Sequence, residues 1–128
     1  MSKNTGIVKD RRYLRHGTDF SHPETPQRLV SIYEMLENPD MAWKYIGIDA
    51  RHATREELER VHRSSFIDFI ARSAGKAMTM LDPDTVATAE TYDTARLAAG
   101  GVMNAIDSVV SGETDNAFAL VRPPGHHA

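Results

Sequence analysis

Short apolar runs alternate along this chain with segments of helical periodicity, and this alternation leaves few folds open. The apolar runs lie at residues 6–8, 45–48 and 117–121. Such an alternation is typical of α/β proteins, in which the strands form a parallel sheet and the intervening helices cover it. We therefore expect an α/β fold in which the three runs are strands of a partial parallel sheet.

The first predicted helix follows a polar segment, residues 10–24, that we expect to be a loop. Thr25 is a suitable capping residue and Pro26 fits the first helical position, where its missing N–H is not needed. The helix is expected to end at Asn38-Pro39. Its apolar side chains recur at helical spacing, which places them on one face; they are Leu29, Ile32, Tyr33 and Leu36.

Further helices are predicted in the central part of the chain. Thr54 and Glu57 have the spacing of a capping box and predict a short helix. Another helix is expected from Ser64, with residues Phe66, Ile67, Phe69 and Ile70 largely inward. The segment 82–85, Asp-Pro-Asp-Thr, is typical of a turn or loop.

The longest predicted helix runs from about Glu90 to Ser111, and Gly112 is a suitable stop. Gly100 and Gly101 lie within it, and each costs roughly 1 kcal/mol relative to alanine in a helix. Two adjacent glycines there predict a close approach to another backbone, and we expect that backbone to be the sheet.

Composition excludes several classes of protein. The chain has 128 residues, enough for one domain at most, and a net charge of −3, which argues against a nucleic-acid-binding surface. It has no cysteine, so disulfides, a thiolate nucleophile and a cysteine zinc site are excluded. We see neither a signal peptide nor an apolar run long enough to span a membrane, and we expect a cytoplasmic protein.

Two adjacent histidines, His126 and His127, follow the third apolar run and an Arg-Pro-Pro-Gly segment. In open α/β sheets, ligands bind just beyond the carboxyl ends of the strands. Imidazoles placed there can hold or move protons near neutral pH. From the residues alone, a solvated terminal tail is an equally good interpretation.

The segment Arg-Pro-Pro-Gly-His-His-Ala at residues 122–128 closely resembles the histidine-pair motif of the zinc-dependent histone deacetylase family, which includes bacterial acetoin-utilisation-type and acetylpolyamine deacetylases. Residues 22–29, residues 58–67 and the Asp84-Thr85 pair agree with that family in order. The resemblance implies the N-terminal part of the three-layer arginase-deacetylase fold. Residues 1–128 would then be an incomplete, N-terminal portion of a deacetylase domain.

The resemblance also implies roles for the two histidines. His127 would be the general base and then the general acid beside the zinc-bound water, and His126 would tune the electrostatics of the transition state. Neither is a zinc ligand in the family. The family's ligands, an Asp-x-His and a later Asp, are expected beyond residue 128, so no metal ligand is predicted here. We expect zinc in the full-length domain, none bound by this chain alone, and no activity from this chain alone.

Two further residues have implied roles. Arg28 would lie near an internal channel for released acetate, although a helix-surface arginine paired with Glu24 is the alternative. Asp84 would bind the substrate's backbone amide at the pocket rim, although it is as readily interpreted as a turn residue. Asp82 takes that role if the register is shifted. Arg122 is expected to brace the loop that leads to the histidine pair.

The substrate implied for the full-length form is acetylated lysine or acetylpolyamine. An alternative is a truncated, non-catalytic deacetylase-like module that self-associates or binds a partner. A sheet that stops at residue 121 has an unpaired edge, and such an edge favours association. The isolated chain is therefore expected to be a homo-oligomer.

Overall fold

The computed structural model describes residues 3–17 and 22–125 of the chain. Strands and helices alternate along it, and a short 3-10 helix, Arg11–Arg15, follows the first strand. The strands are β1 (Thr5–Val8), β2 (Ile46–Ile48), β3 (Thr79–Asp82), β4 (Thr85–Ala87) and β5 (Asn116–Ala119). The α-helices are α1 (Gln27–Leu36), α2 (Arg55–Glu59), α3 (Ser64–Ala71) and α4 (Thr91–Val110).

The main sheet has the strand order β2-β1-β5 and is parallel throughout. β1 lies in the middle, with Gly6 opposite Ile46 on one side and Ala117 on the other. All three predicted strands are confirmed, as is the α/β class. Because the strands are parallel, their carboxyl ends lie at one edge of the sheet, and the segments that follow β1 and β5 begin there.

Burial of β5 is less complete than its apolar sequence suggests. Phe118 is 60% exposed, whereas Leu120, just after the strand, is buried in the core. Among the described residues β5 has a strand neighbour on one side only, β1. Phe118 is exposed because no described element covers that face of β5.

Helix α4 covers the sheet through small residues and one large one. Leu97 is fully buried, and Ala98 and Ala105 are nearly so. A Cβ on Gly100 would overlap the backbone carbonyl of Arg51, so the predicted close approach to a backbone is confirmed. That backbone belongs to the segment after β2, not to a strand of the sheet. The helix ends as predicted before Gly112, which has a φ of 81°.

Two buried tyrosines connect the core elements. Tyr33 of α1 donates a hydrogen bond of 2.6 Å from its hydroxyl to the carbonyl of Leu120. Tyr13 donates one of 2.8 Å to the carbonyl of Leu97 in α4. Both side chains are almost completely buried, so these bonds satisfy polar groups that water does not reach.

Of the two predicted helix caps, the one at Thr54 is present and the one at Thr25 is not. The Thr54–Glu57 capping box is present, with the Thr54 hydroxyl accepting from the Glu57 N–H at 3.2 Å and the Glu57 carboxylate accepting from the Thr54 N–H at 2.9 Å. Helix α1 begins at Gln27, one residue later than predicted from Thr25 as the cap. Pro26 is its N-cap, and no side chain caps it.

Two local predictions are wrong, and a third is confirmed. The segment 10–24 is not all loop, because Asp10 accepts a hydrogen bond from the N–H of Arg12 and starts the 3-10 helix. The predicted turn within residues 82–85 is present and joins β3 and β4 in an antiparallel hairpin. Phe66 and Phe69 are about half exposed, because only the Ile67 side of α3 packs into the protein. The rings of Phe66 and Phe69 line a cleft.

Candidate functional site

A cleft of about 430 Å³ lies where the segments after β1 and β5 approach the start of α4. Its walls combine the loop before α1, one face of α3, the β3–β4 hairpin and the segment 123–125. Ligand sites of α/β proteins are found at such carboxyl edges. Aromatic and aliphatic side chains of α3 and the hairpin supply apolar groups to the lining, and the polar groups come from His16, His22, Glu24, Asp82, Asp84, Thr85 and Thr91.

An ion pair at this cleft joins segments that are far apart in the chain. Nε of Arg122 donates to Oε1 of Glu24 at 2.5 Å, and Nη2 donates to Oε2 at 2.8 Å. Nη1 of Arg122 also donates to the carbonyl of His16 at 2.7 Å and to that of Tyr13 at 3.4 Å. The Arg122 side chain is 2% exposed and the Glu24 side chain 12%.

The charge of Glu24 is stabilised by the groups around it. Burial alone would raise the pKa of this carboxyl, but the hydrogen bonds and charge of Arg122 outweigh that effect, with smaller contributions from His16 and Arg28. The pKa of Glu24 therefore lies below its ordinary value, and Glu24 is an anion at neutral pH.

His16 is a buried member of the same network. Its Nδ1 lies 2.8 Å from the hydroxyl of Thr91 at the start of α4, and its Nε2 lies 3.9 Å from Oε2 of Glu24. Burial and the nearby charge of Arg122 lower the pKa of His16, against the opposing effect of Glu24. The imidazole is therefore neutral at physiological pH.

Asp84, the predicted substrate-binding residue, lies at the turn between β3 and β4 and lines the cleft. Its side chain is 74% exposed, and Oδ1 lies 3.7 Å from Nε2 of His22. The alternative, Asp82, also lines the cleft and accepts a hydrogen bond of 2.8 Å from the Asp84 N–H. Both carboxylates thus border the cleft and are exposed to solvent.

Arg28, the predicted acetate-channel residue, lies on the first turn of α1 with its side chain 62% exposed. Its Nη1 is 3.8 Å from Oε1 of Glu24, the pairing expected across one turn of helix. Glu24 therefore lies between two arginines, one buried and one at the surface. The role of Arg28 in a channel stays a prediction.

His126 and His127 lie outside the described residues. The structure describes the chain up to Gly125, and the segment 123–125 lines the cleft. The same segment lines a second, mostly apolar cavity of about 520 Å³ between α3 and α4. The two predicted catalytic residues thus directly follow a segment that borders the cleft.

A catalytic zinc ion needs about three protein ligands. Within residues 3–17 and 22–125, no group of three His, Cys, Asp or Glu side chains could hold a metal ion. The described residues therefore do not fit a zinc ion. In that same part of the chain, no helix has the length and apolar character needed to cross a membrane.

Sequence reasoning missed two features of the cleft. His16 is isolated in a polar segment with no periodic pattern around it, so nothing in the sequence distinguishes it from a surface histidine. The β3–β4 hairpin could have been found, because Asp82-Pro83-Asp84 is turn chemistry followed directly by the β-branched residues Thr85 and Val86.

Comparison with known proteins gives the family. The model of the histone deacetylase domain matches residues 22–128. The chain belongs to the histone deacetylase family. A probable deacetylase of Archaeoglobus fulgidus is 34% identical over 126 residues, which are 97% of this chain and 35% of that protein. The polyamine deacetylase HDAC10 of Danio rerio is 29% identical over 138 residues, covering 100% of this chain and 20% of that protein.

Solved structures of the family agree with the fold. The HDA15 HD domain superposes with a TM-score of 0.90 at 34% identity, covering 98% of this chain and 37% of that one. Histone deacetylase 15 of Arabidopsis thaliana is 35% identical over 133 residues, which are 24% of its length. The chain thus spans about a third or less of these relatives, and its α/β fold matches a fragment of theirs.

Proposed function

We propose that residues 1–128 are the N-terminal portion of a zinc-dependent deacetylase domain that hydrolyses the acetyl amide of acetylated lysine or acetylpolyamine. The main support is the position of the cleft at the carboxyl edge of the parallel sheet. The segment 123–125, which lines it, directly precedes the histidine pair in the sequence. Membership of the histone deacetylase family agrees with this reaction, as do relatives described as histone and polyamine deacetylases.

In this proposal the two histidines have different roles: His127 moves protons, and His126 acts through its electrostatics. Hydrolysis forms a bond between the oxygen of water and the acetyl carbon, breaks the carbon–nitrogen bond, and releases acetate and an amine. His127 accepts the proton from water as general base and returns it to the leaving nitrogen as general acid. His126 adjusts the local electrostatics at the carbonyl oxygen, where negative charge develops.

Two other residues would act on substrate and product. Asp84, which borders the cleft, is suited to accept a hydrogen bond from an amide N–H of a bound substrate. Arg28 would attract released acetate, because a guanidinium binds a carboxylate through two parallel hydrogen bonds.

Zinc would be bound by residues that are not among those described. A catalytic zinc site needs about three protein ligands, and the described residues offer no such group. We therefore propose that the metal, which makes water more acidic when bound, binds in the full-length domain. The 128-residue chain by itself is expected to bind no zinc and to be inactive.

The test is an assay of the full-length protein against an acetyl-lysine peptide and an acetylpolyamine. We expect release of acetate from at least one substrate, loss of activity on chelation, and recovery when zinc is returned. The 128-residue chain, assayed alongside as a control, should release none. A folded, zinc-loaded protein that deacetylates neither substrate would refute the proposed function.

A non-catalytic, self-associating module is the alternative, and one observation favours it. β5 lies at the edge of the described sheet, and Phe118 on that strand is 60% exposed. An edge strand with an exposed aromatic side chain can pair with a second copy. This alternative predicts a discrete homo-oligomer of the 128-residue chain in analytical ultracentrifugation, and a monomer at high concentration would remove its support.

A further inference from the structure

We propose that Arg122 is a positioning residue for deacetylation, and that its ion pair with Glu24 sets the location of the segment leading to the histidine pair. This inference rests on the proposed function. It concerns a residue that touches neither water nor substrate in the scheme above and acts through the chain that follows it.

The guanidinium of Arg122 donates hydrogen bonds to three residues, and these bonds fix its position. Both Glu24 oxygens accept from the guanidinium, and the carbonyls of Tyr13 and His16 accept from Nη1. Glu24 lies in the loop shortly before α1, whereas Tyr13 and His16 belong to the segment after β1. One side chain at the end of β5 is thus attached to two other segments at the same edge of the sheet.

The shape of the guanidinium is needed for this arrangement. A planar fork can meet both carboxylate oxygens with one side while its remaining nitrogen donates to backbone carbonyls. A lysine has one compact ammonium group on a flexible stem and cannot make these four contacts together. With the side chain 2% exposed, water is not available to replace the lost hydrogen bonds.

Only three residues separate Arg122 from the histidine pair in the sequence. Pro123 and Pro124 each have φ restricted by the pyrrolidine ring, so little backbone freedom separates Arg122 from Gly125. His126 follows directly. A shift of about 1 Å in a catalytic group can cost about 10²-fold in rate, so a loosened Arg122 should lower turnover.

The decisive experiment compares Arg122→Lys with a matched control in the full-length protein. Arg51 makes a similar two-bond contact to Glu57, at 2.8 and 2.9 Å, away from the cleft, so Arg51→Lys changes the same chemistry elsewhere. For each variant, kcat and KM are measured on the substrate that the wild type accepts, normalised to folded, zinc-loaded protein. His127→Ala is included as the inactive reference.

We expect Arg122→Lys to lower kcat by about 10²-fold with little change in KM, and Arg51→Lys to keep the wild-type kcat. The imidazole signals of His126 and His127, followed by NMR of ¹⁵N-histidine-labelled protein, should shift in Arg122→Lys only. If Arg122→Lys does not fold, Glu24→Gln replaces it, since it removes the charge partner at nearly constant shape. The same pattern with a smaller loss is then expected.

Two results would overturn the inference. One is a wild-type kcat in Arg122→Lys, or in Glu24→Gln where that variant decides. The other is a lower kcat with unmoved imidazole signals. Neither result is confused with failure of the proposed function, which would appear as an inactive wild type or an active His127→Ala protein.

Discussion

The α-carbon of Gly100 lies so close to the backbone of Arg51 that a side chain there has no room. A Cβ built on Gly100 would overlap the Arg51 carbonyl oxygen and lie 2.6 Å from the carbonyl carbon and 3.0 Å from the N atom of Ala53. The obstacle is backbone, which does not move aside as a flexible side chain can. This contact determines how closely α4 packs against the segment after β2.

Gly100→Ala should therefore destabilise the protein, although alanine is the better helix former by about 1 kcal/mol. Overpacking typically costs 1–3 kcal/mol, and here it should exceed that gain, leaving a net loss of about 1 kcal/mol or more. Gly47→Ala is the control, because a Cβ on Gly47 meets nothing within 4 Å. Urea unfolding measures both; equal stability of the two variants would contradict the packing described.

The two threonines at helix starts give a second comparison. Thr54→Ala removes the capping box of α2 and should cost about 1 kcal/mol. Thr25→Ala should cost much less, because no side chain caps α1. Thermal unfolding of both variants measures the difference, and a larger loss for Thr25→Ala would show that α1 starts differently.

Tyr33→Phe should destabilise the core by about 1–3 kcal/mol, since it leaves the buried carbonyl of Leu120 without its 2.6 Å hydrogen bond. Tyr45→Phe is the matched control. Its hydroxyl makes a 3.3 Å bond to the carbonyl of Leu36 at a partly buried site, so the loss should be smaller. Chemical denaturation curves of the two variants decide; a Tyr33→Phe protein as stable as the wild type would be unexpected.

His16 should make stability depend on pH. Its pKa is lowered in the folded state by burial and by Arg122, so below the ordinary value of 6.5 the unfolded chain binds a proton that the folded chain does not. Stability should therefore fall as pH decreases through that value. Unfolding free energies measured from about pH 7.5 to 5.5 should show this slope, and His16→Gln should reduce it. An unchanged slope in the variant would rule out His16 as its source.

Glu24 also makes the protein less stable as pH falls, but in a lower pH range than His16. Because its folded-state pKa lies below the ordinary value of 4.5, it contributes stability above that value and loses it as pH falls further. Glu24→Gln should be less stable than the wild type at neutral pH, and the difference should shrink in acid. A difference that stays constant down to acid pH would contradict the charge assignment.

The main sheet could be predicted from sequence because its strands are short apolar runs separated by helical patterns. The capping box at Thr54 and the stop at Gly112 were predictable for a similar reason, since both depend on residues close in the chain. Local patterns of this kind need no knowledge of tertiary contacts.

What could not be predicted depends on contacts between distant residues. Glu24 and Arg122 are 98 positions apart, and nothing local to either identifies the other as its partner. His16 lies in the cleft through contacts with Thr91 and Arg122, which are distant from it in the chain. The exposure of Phe118 likewise depends on which elements lie beside β5, which no property of that strand alone specifies.

The most direct test of the central claim is the turnover of His127→Ala in the full-length, zinc-loaded protein. Removing a general acid–base typically costs 10²–10⁴-fold in rate, so kcat should fall by at least about 10²-fold while zinc content and folding match the wild type. A His127→Ala protein that deacetylates at the wild-type rate would contradict the account, because the cleft would then not lead to the catalytic residues.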